Sequence, residues 1–241
     1  MQKLLEVDKL ASGYGRIQIV RDISFSLATG ECLGLFGPNG HGKSTLLKAI
    51  SGLLPCWSGS IRFAGQTISN ASPRKIVEAG LILVPQGNQL FPEMTVGETL
   101  RLGAFANAAR AEEASNLERA YSIFPRLKER DRQQVWSLSG GERQMVAIGV
   151  GLMGNPKLLI LDEPTLGLAP RIKDELCDAI GAVSKHGVPL VVVEQDVEFL
   201  LGLVDRLILI DHGSAVREFS AANSIGHDEI MDMYFGDGKV A

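Results

Sequence analysis

The segment Gly37-Pro38-Asn39-Gly40-His41-Gly42-Lys43-Ser44 carries the strongest fold signal in the chain. It fits the pattern G-x-x-x-x-G-K-[ST], follows the apolar run Cys32–Phe36, and leads into Leu46–Gly52, where apolar residues recur at helical spacing. Glycines let backbone N–H groups turn around a phosphate, and a helix start adds unpaired donors. The pattern predicts a strand–loop–helix unit in which Lys43 contacts the β- and γ-phosphates of a nucleotide and Ser44 ligates Mg²⁺.

Two carboxylates, Asp162 and Glu163, directly follow the apolar run Leu158–Leu161. Ligands of open α/β sheets bind at the carboxyl ends of the strands. Taken alone, this pair is more simply explained as a solvated strand end. Together with the phosphate loop, it predicts that Asp162 holds Mg²⁺ through water and that Glu163 orients or deprotonates an attacking water.

Short apolar strands alternate with helical segments before and after a central helical region. Strands are expected at Leu4–Leu10, Ile23–Leu27, Cys32–Phe36, Ser60–Phe63, Leu81–Val84, Leu158–Leu161, Leu190–Val193 and Leu207–Ile210. From Thr95 to about Met153 helical signals replace them, including the capping box Thr95-x-x-Glu98 and the Ala-, Glu- and Arg-rich stretch Ala104–Arg119. Further helices are predicted to begin at Ser72-Pro73 and to span Pro170–Lys185 and Asp196–Leu203. The predicted fold class is α/β: a P-loop NTPase core with a mainly parallel sheet, an N-terminal antiparallel β subdomain and an inserted helical subdomain.

Composition excludes several classes of protein. The chain has 241 residues, of which 45% are hydrophobic and 22% charged, with a formal net charge of −4. This balance excludes a disordered chain and disfavours a nucleic-acid partner. The longest apolar run, Met145–Gly154, has about ten residues where a membrane span needs about twenty. Early charged residues such as Lys3 and Glu6 do not fit a signal peptide, so a cytosolic location is expected.

The segment Ser139-Gly140-Gly141-Glu142-Arg143-Gln144 fits a capping box, with Ser139 at the helix N-cap and Glu142 reaching back. It also resembles the signature motif of ABC-transporter ATPases. The order along the chain is the same as in that family: phosphate loop, Gln86, signature, acidic strand end. The resemblance covers nearly the whole chain, from Leu4 to about Phe235.

The resemblance implies an ATPase that uses ATP and Mg²⁺. The nucleotide would contact the phosphate loop from Gly37 to Thr45, with Tyr14 stacking on adenine; the alternative for Tyr14 is a turn aromatic after Gly13. Gln86 would sense Mg²⁺ and the attacking water, although alone it would be read as a polar loop residue. The catalytic set would then be Lys43, Gln86, Glu163 and Gln195.

The resemblance also implies a second ABC ATPase subunit, identical or different. The signature residues Ser139, Gly140, Gly141 and Glu142 would contact the ATP held by that subunit, since small residues at a helix start can bind an anion. The whole chain, 1–241, would form a single nucleotide-binding domain. Segments 1–85 and 156–241 would form the β subdomain and ATPase core, and 86–155 the helical subdomain with the signature.

Three stretches are closer still to the shorter ATPase subunit of branched-chain amino-acid importers: Leu161–Pro170, Val193–Asp196 and the tail near Tyr234-Phe235-Gly236. Importers of urea and short amides share much of this pattern, and a soluble ABC ATPase outside transport is a more distant alternative. The resemblance implies transmembrane permease subunits that dock through the segment after Gln86, and indirectly a solute-binding protein. Within that segment Phe91–Met94 is a candidate contact, and its apolar residues could equally belong to the core. The chain would lie peripherally on the cytoplasmic face of the inner membrane, with no nucleic-acid partner.

Two residues depart from the wider family pattern. Gln195 stands where a switch histidine is usual, although the importer subfamily often has glutamine there. Glutamine cannot carry a proton or a positive charge as histidine can, so we expect slower hydrolysis or dependence on a partner subunit. Val150 stands where an arginine is common in the signature helix. Of the histidines, His41 fills the variable slot of the phosphate loop and His212 is expected in a surface turn.

Overall fold

The structure is a computed structural model that describes residues 2–87 and 89–220. Its strands are β1 (Lys3–Tyr14), β2 (Ile17–Ala28), β3 (Cys32–Phe36), β4 (Ser58–Phe63), β5 (Gln66–Thr67), β6 (Leu81–Val84), β7 (Leu158–Asp162), β8 (Leu190–Glu194), β9 (Arg206–Asp211) and β10 (Ser214–Ser220). Its α-helices are α1 (Lys43–Ile50), α2 (Pro73–Glu78), α3 (Val96–Leu102), α4 (Asn107–Ala111), α5 (Glu113–Ile123), α6 (Pro125–Glu129), α7 (Gly140–Met153), α8 (Pro170–Lys185) and α9 (Val197–Leu201). The tail stretch Tyr234-Phe235-Gly236 lies outside the described residues.

A six-stranded sheet forms the centre of the fold, with strand order β10-β9-β3-β8-β7-β6. All neighbouring strands are parallel except β9 and β10. Strands β3, β7 and β8 are buried along their whole length. This burial explains their continuous apolar sequences, because a strand covered on both faces has no solvent side on which to place polar residues.

The two faces of this sheet pack into different apolar clusters. Along β7, Leu159 and Leu161 join a cluster with Leu176 and Ile180 of α8. Leu158 and Ile160 face the other way, into a cluster that holds α1 residues and much of the antiparallel sheet. Successive side chains of a strand point to opposite faces of the sheet, so one apolar run contributes residues to both clusters.

A four-stranded antiparallel sheet, ordered β2-β1-β4-β5, covers the α1 side of the fold. Strands β1 and β2 are longer than the predicted Leu4–Leu10 and Ile23–Leu27 because irregularities interrupt their alternation. Lys9 has φ 44° and lies in a register shift between Val7 and Leu10. A bulge of this kind switches the face on which apolar residues fall and breaks the sequence pattern of a long strand.

The helical region between β6 and β7 is confirmed, with both predicted capping boxes. At the start of α3, the Thr95 side chain accepts the backbone N–H of Glu98, and the Glu98 side chain accepts the backbone N–H of Thr95. Ser139 and Glu142 make the same pair of hydrogen bonds at the start of α7. Ser72 occupies the N-cap of α2, although its side chain accepts no capping hydrogen bond. Within the described residues, no helix has the length and apolar character required to span a membrane.

Several predicted boundaries were wrong. The stretch Ala104–Arg119 is divided between α4 and α5, and its first three residues are not helical. Helix α9 covers only Val197–Leu201 of the predicted Asp196–Leu203. Strand β10 was not predicted, because it lies at a sheet edge with mixed, largely exposed residues and lacks an apolar run.

Candidate functional site

The carboxyl ends of four parallel strands meet at one edge of the central sheet. The register pairs Phe36 of β3 with Glu194 of β8, Val193 of β8 with Asp162 of β7, and Leu161 of β7 with Val84 of β6. The residues that follow these strand ends are therefore neighbours in space. They include the phosphate loop, Gln195, Glu163 and Gln86.

The phosphate loop turns sharply between β3 and α1. Gly37 has φ 152°, and a Cβ there would overlap the carbonyl oxygen of Ile210. Nζ of Lys43 returns into the loop and donates hydrogen bonds to the carbonyl oxygens of Gly37 at 2.8 Å and Pro38 at 3.0 Å. Burial lowers the pKa of Lys43, and the nearby carboxylates of Glu163 and Asp162 oppose this shift. The ammonium group of Lys43 is thus buried in the loop. Its N–H groups donate to backbone oxygens that a bound anion could replace as acceptors.

Ser44 and Asp162 meet although they are 118 residues apart in sequence: Oγ of Ser44 donates to Oδ1 of Asp162 over 3.1 Å. Asp162 is buried, and this burial raises the pKa of its carboxyl group, while the Ser44 hydrogen bond lowers it. Hydroxyl and carboxylate oxygens are ligands that Mg²⁺ prefers. The pair therefore offers a suitable donor set for that ion.

Glu163 is contacted by three donors. Nε2 of Gln86 donates to Oε2 over 2.8 Å, Nε2 of Gln195 donates to Oε1 over 3.3 Å, and Nζ of Lys43 lies 3.7 Å from Oε1. The backbone of Glu163 adopts φ 46°, a conformation that is uncommon and costs of the order of 1–3 kcal/mol for a residue other than glycine. A hydrogen bond from its N–H to the carbonyl oxygen of Val193, at 2.9 Å, holds this turn. The strained backbone aims the carboxylate across the strand ends.

Glu194 is a buried acid beside the site that was not predicted as a site residue. Its side chain is 3% exposed and Oε1 accepts the N–H of Thr165 over 2.7 Å. Burial raises the pKa of Glu194, opposed by its hydrogen bonds to Thr165 and Gln195. A charged residue directly after the apolar run Leu190–Val193, as at Asp162, was the available signal. Glu194 fixes the start of the loop after Glu163.

A cavity of about 420 Å³ lies over the phosphate loop. It is lined by Asn39, Gly40, Gly42, Lys43, Ser44, Thr45, Gln86, Glu163 and Leu166. Tyr14 is half-exposed beyond this lining and accepts a hydrogen bond from Nζ of Lys48 on α1 at 3.4 Å. The structure thus groups most of the predicted loop and catalytic residues around one space.

The signature residues do not line this cavity. Ser139 caps α7, and Glu142 pairs with Arg130 at 2.8 Å. A Cβ at Gly141 would overlap Cγ2 of Ile172 on α8, whereas a Cβ at Gly140 would meet only Leu168, at 3.6 Å. Gly141 is therefore required by close helix packing, and Gly140 leaves open space at the start of the helix.

His41 is a phosphate-loop residue that does not line the cavity. Its Nδ1 lies 2.6 Å from Oδ1 of Asp211, the last residue of β9. His212, in the turn between β9 and β10, places its own Nδ1 2.9 Å from that oxygen. The sequence suggested no connection between His41 and this turn.

Comparison with known proteins assigns the family. The family model described as "ABC transporter" matches residues 20–166, more than half of the chain. The high-affinity branched-chain amino acid transport ATP-binding protein BraG of Pseudomonas aeruginosa is 38% identical over 233 residues, which cover 97% of this chain and 100% of that protein. The linearmycin resistance ATP-binding protein LnrL of Bacillus subtilis is 32% identical, covering 95% and 74%.

Among solved structures, an ATP-binding cassette of an ABC transporter in its ADP conformation superposes with a TM-score of 0.83 at 27% identity, covering 100% of this chain and 97% of that one. The chain belongs to the ABC transporter family. Within it, the chain is a nucleotide-binding, ATP-hydrolysing cassette.

Proposed function

We propose that the chain is the ATP-hydrolysing subunit of an ABC importer for branched-chain amino acids. The hydrogen bond between Ser44 and Asp162 supports the assignment of ATP hydrolysis, because it joins the phosphate loop to the acidic strand end. A magnesium-dependent ATPase needs these two elements side by side. Phosphate release from ATP tests it: activity with Mg²⁺ and none after chelation supports the proposal, and unchanged activity after chelation contradicts it.

ATP is held by the loop backbone and by Lys43. The residues that would contact it are Tyr14, Gly37, Pro38, Asn39, Gly40, His41, Gly42, Lys43, Ser44 and Thr45, with His41 contributing its backbone only. Ser44, Asp162 and Gln86 would hold Mg²⁺, which when bound neutralises negative charge on the transferred phosphoryl group. The oxygen-rich donor set of Ser44 and Asp162 supports this assignment.

Glu163 acts as the general base. One of its carboxylate oxygens accepts the proton of the attacking water, and Gln86 and Gln195 orient the carboxylate through their amide N–H groups. Each carboxylate oxygen accepts one amide hydrogen bond in the structure and has a second lone pair with which it can accept the attacking water.

A second ATPase subunit completes the site. Ser139, Gly140, Gly141 and Glu142 lie off the cavity of their own chain, at the amino end of α7, where unpaired N–H groups favour an anion. The molar mass of the Glu163→Gln variant with ATP, measured by light scattering, tests this. A dimeric mass that is lost when Ser139→Arg is added to the same variant supports a homodimer. A monomer under the same conditions indicates that the second ATPase is a different chain.

The permease subunits dock on an apolar cavity of about 520 Å³ between α2, β6, α3 and α7. Its wall includes the exposed side chains Phe91, Leu102 and Phe105. Val150 of α7 and Asp162, at the carboxyl end of β7, also line it. Phe105→Ser is expected to reduce co-purification with the permease subunits while the melting temperature of the isolated chain stays the same. Val216→Ser is the matched control, because Val216 is similarly exposed on the edge strand β10.

The full-length likeness to BraG supports branched-chain amino acids as the solute. The chain would then act on the cytoplasmic face of the inner membrane, together with a solute-binding protein. Reconstitution with the permease subunits and uptake of radiolabelled leucine tests this solute. Uptake of urea or a short amide in place of leucine, or outward transport, would contradict it.

We also propose that residues 1–241 act as a single nucleotide-binding domain. Strands β3 and β6, from segment 1–85, pair with β7, β8 and β9, from segment 156–241, in one sheet. Helices α3 to α7, from segment 86–155, lie between them in sequence. Limited proteolysis with and without ATP tests the division: initial cleavage near residues 86 and 155 supports it, and cleavage within β7 to β9 contradicts it.

A further inference from the structure

A cluster of three side chains joins the phosphate loop to the turn between β9 and β10. Nδ1 of His41 and Nδ1 of His212 converge on the same oxygen, Oδ1 of Asp211, at 2.6 and 2.9 Å. The two imidazole rings are 4.4 Å apart between centroids. All three potential ligand atoms lie within 4.8 Å of one another.

One hydrogen bond of this cluster competes with the others. The backbone N–H of His212 also donates to Nδ1 of His41, at 3.2 Å. A neutral imidazole nitrogen is either a donor or an acceptor, so Nδ1 of His41 cannot accept this bond and donate to Asp211 at the same time. Two Nδ1–H groups can both donate to this carboxylate oxygen, and a cation shared by the two imidazole nitrogens and the carboxylate is a second way to satisfy the same three side chains.

The chemistry of the ligands selects the type of ion. Two imidazoles and one carboxylate suit Zn²⁺ and related transition metals, whereas Mg²⁺ prefers oxygen ligands. Metal–ligand bonds of about 2.0–2.2 Å place two tetrahedral ligand atoms about 3.3 Å apart. Each Nδ1 atom therefore needs to move roughly half an ångström away from Oδ1 of Asp211. His212 is largely exposed and can make this adjustment, and the open side leaves a fourth position for water.

The backbone on both sides of the cluster is already fixed. The N–H of Gly213 donates to the carbonyl oxygen of His41 at 3.0 Å, and the N–H of Arg21 donates to the carbonyl oxygen of Gly213 at 2.6 Å. Binding therefore requires little ordering of the chain, which favours affinity.

We propose that His41, Asp211 and His212 bind a transition-metal ion of the Zn²⁺ class, and that this ion cross-links the phosphate loop to the β9–β10 turn. The site is separate from the Mg²⁺ donors Ser44 and Asp162. It does not require ATP, the permease or hydrolysis, so it stands or falls independently of the proposed function.

Isothermal titration of the full chain with ZnCl₂, without nucleotide, tests the proposal. Wild type is expected to bind one ion per chain at this site, and Asp211→Asn and His212→Ala are expected to weaken that binding at least about tenfold, as loss of even an outer-shell partner does. His212→Ala is the decisive variant, because its exposed side chain is not needed for folding. His186→Ala is the matched control, since Nδ1 of His186 contacts the carbonyl oxygen of Ala182 in the preceding helix α8.

Melting curves and Co²⁺ spectra give a second measurement. Zn²⁺ is expected to raise the melting temperature of wild type and His186→Ala, but not of His212→Ala. Co²⁺ is expected to produce visible d–d bands that Zn²⁺ removes and excess Mg²⁺ does not. Equal Zn²⁺ affinity in wild type and His212→Ala, or displacement of Co²⁺ by Mg²⁺, overturns the proposal.

Discussion

Nε2 of Gln195 donates a hydrogen bond to Oε1 of Glu163 over 3.3 Å. The two residues follow neighbouring strands, β8 and β7, so the sheet register fixes this contact. A neutral amide therefore stands beside the proposed general base, at a place where histidine could carry a positive charge.

We expect Gln195→His to raise kcat for ATP hydrolysis several-fold, because a charged donor stabilises developing negative charge better than a neutral amide. Gln195→Ala is expected to lower kcat. Phosphate release at saturating ATP measures both. An unchanged kcat in Gln195→His would show that this position does not limit hydrolysis.

Glu163→Gln is expected to reduce kcat by about 10²-fold or more, the usual contribution of a general base, while ATP binding changes little. Single-turnover hydrolysis and fluorescent-nucleotide titration separate the two effects. Glu118→Gln is the control, because Glu118 is an exposed glutamate of α5 that pairs with Lys128. Equal turnover in Glu163→Gln and wild type would remove Glu163 from the catalytic set.

The pKa of Glu194 is raised by burial from an ordinary value of 4.5. A raised acid pKa means that the folded chain binds the proton more tightly than the unfolded chain, so stability falls as the pH rises above that ordinary value. Glu194→Gln keeps an oxygen for the N–H of Thr165 and has no charge to bury. Urea unfolding at pH 5 and pH 8 is expected to show a smaller loss of stability with rising pH in this variant. An identical pH dependence in both proteins would contradict the assignment.

Gly141 and Gly140 form a matched pair at the start of α7. Gly141→Ala is expected to lower the free energy of unfolding by about 1–3 kcal/mol, because the new methyl group overlaps Ile172. Gly140→Ala is expected to leave stability nearly unchanged, since its methyl group has room. Urea denaturation of the two variants makes the comparison. Equal losses would mean that the α7–α8 contact adapts freely.

Much of the fold was predictable from local sequence. The runs Cys32–Phe36 and Leu81–Val84 became strands with the predicted bounds, because strands buried on both faces need continuous apolar residues. Strand β10 and the bulge at Lys9 were not predictable in this way. A sheet edge and a bulge both place polar residues where a regular strand would place apolar ones.

The same distinction applies to the candidate site. Lys43, Ser44, Asp162 and Glu163 stand in short motifs whose residue types carry the chemistry, and the structure groups them as expected. The contact between His41 and His212 joins residues 171 positions apart and depends on how the β9–β10 turn closes over the loop. No local pattern encodes such a contact, so only the tertiary structure reveals it.

Helix α7 has consequences beyond the residues at either end. Its amino end presents the signature residues. About two turns further along, Ala147, Val150 and Gly151 line the apolar cavity that we propose as the permease docking site. Fourteen helical residues span about 21 Å, and the close packing of Gly141 on Ile172 leaves the helix little freedom to bend or slide at its start. If the permease subunits dock at this cavity as proposed, α7 would move as one rigid rod, so that a displacement of its carboxyl half would also displace the signature residues at its amino end.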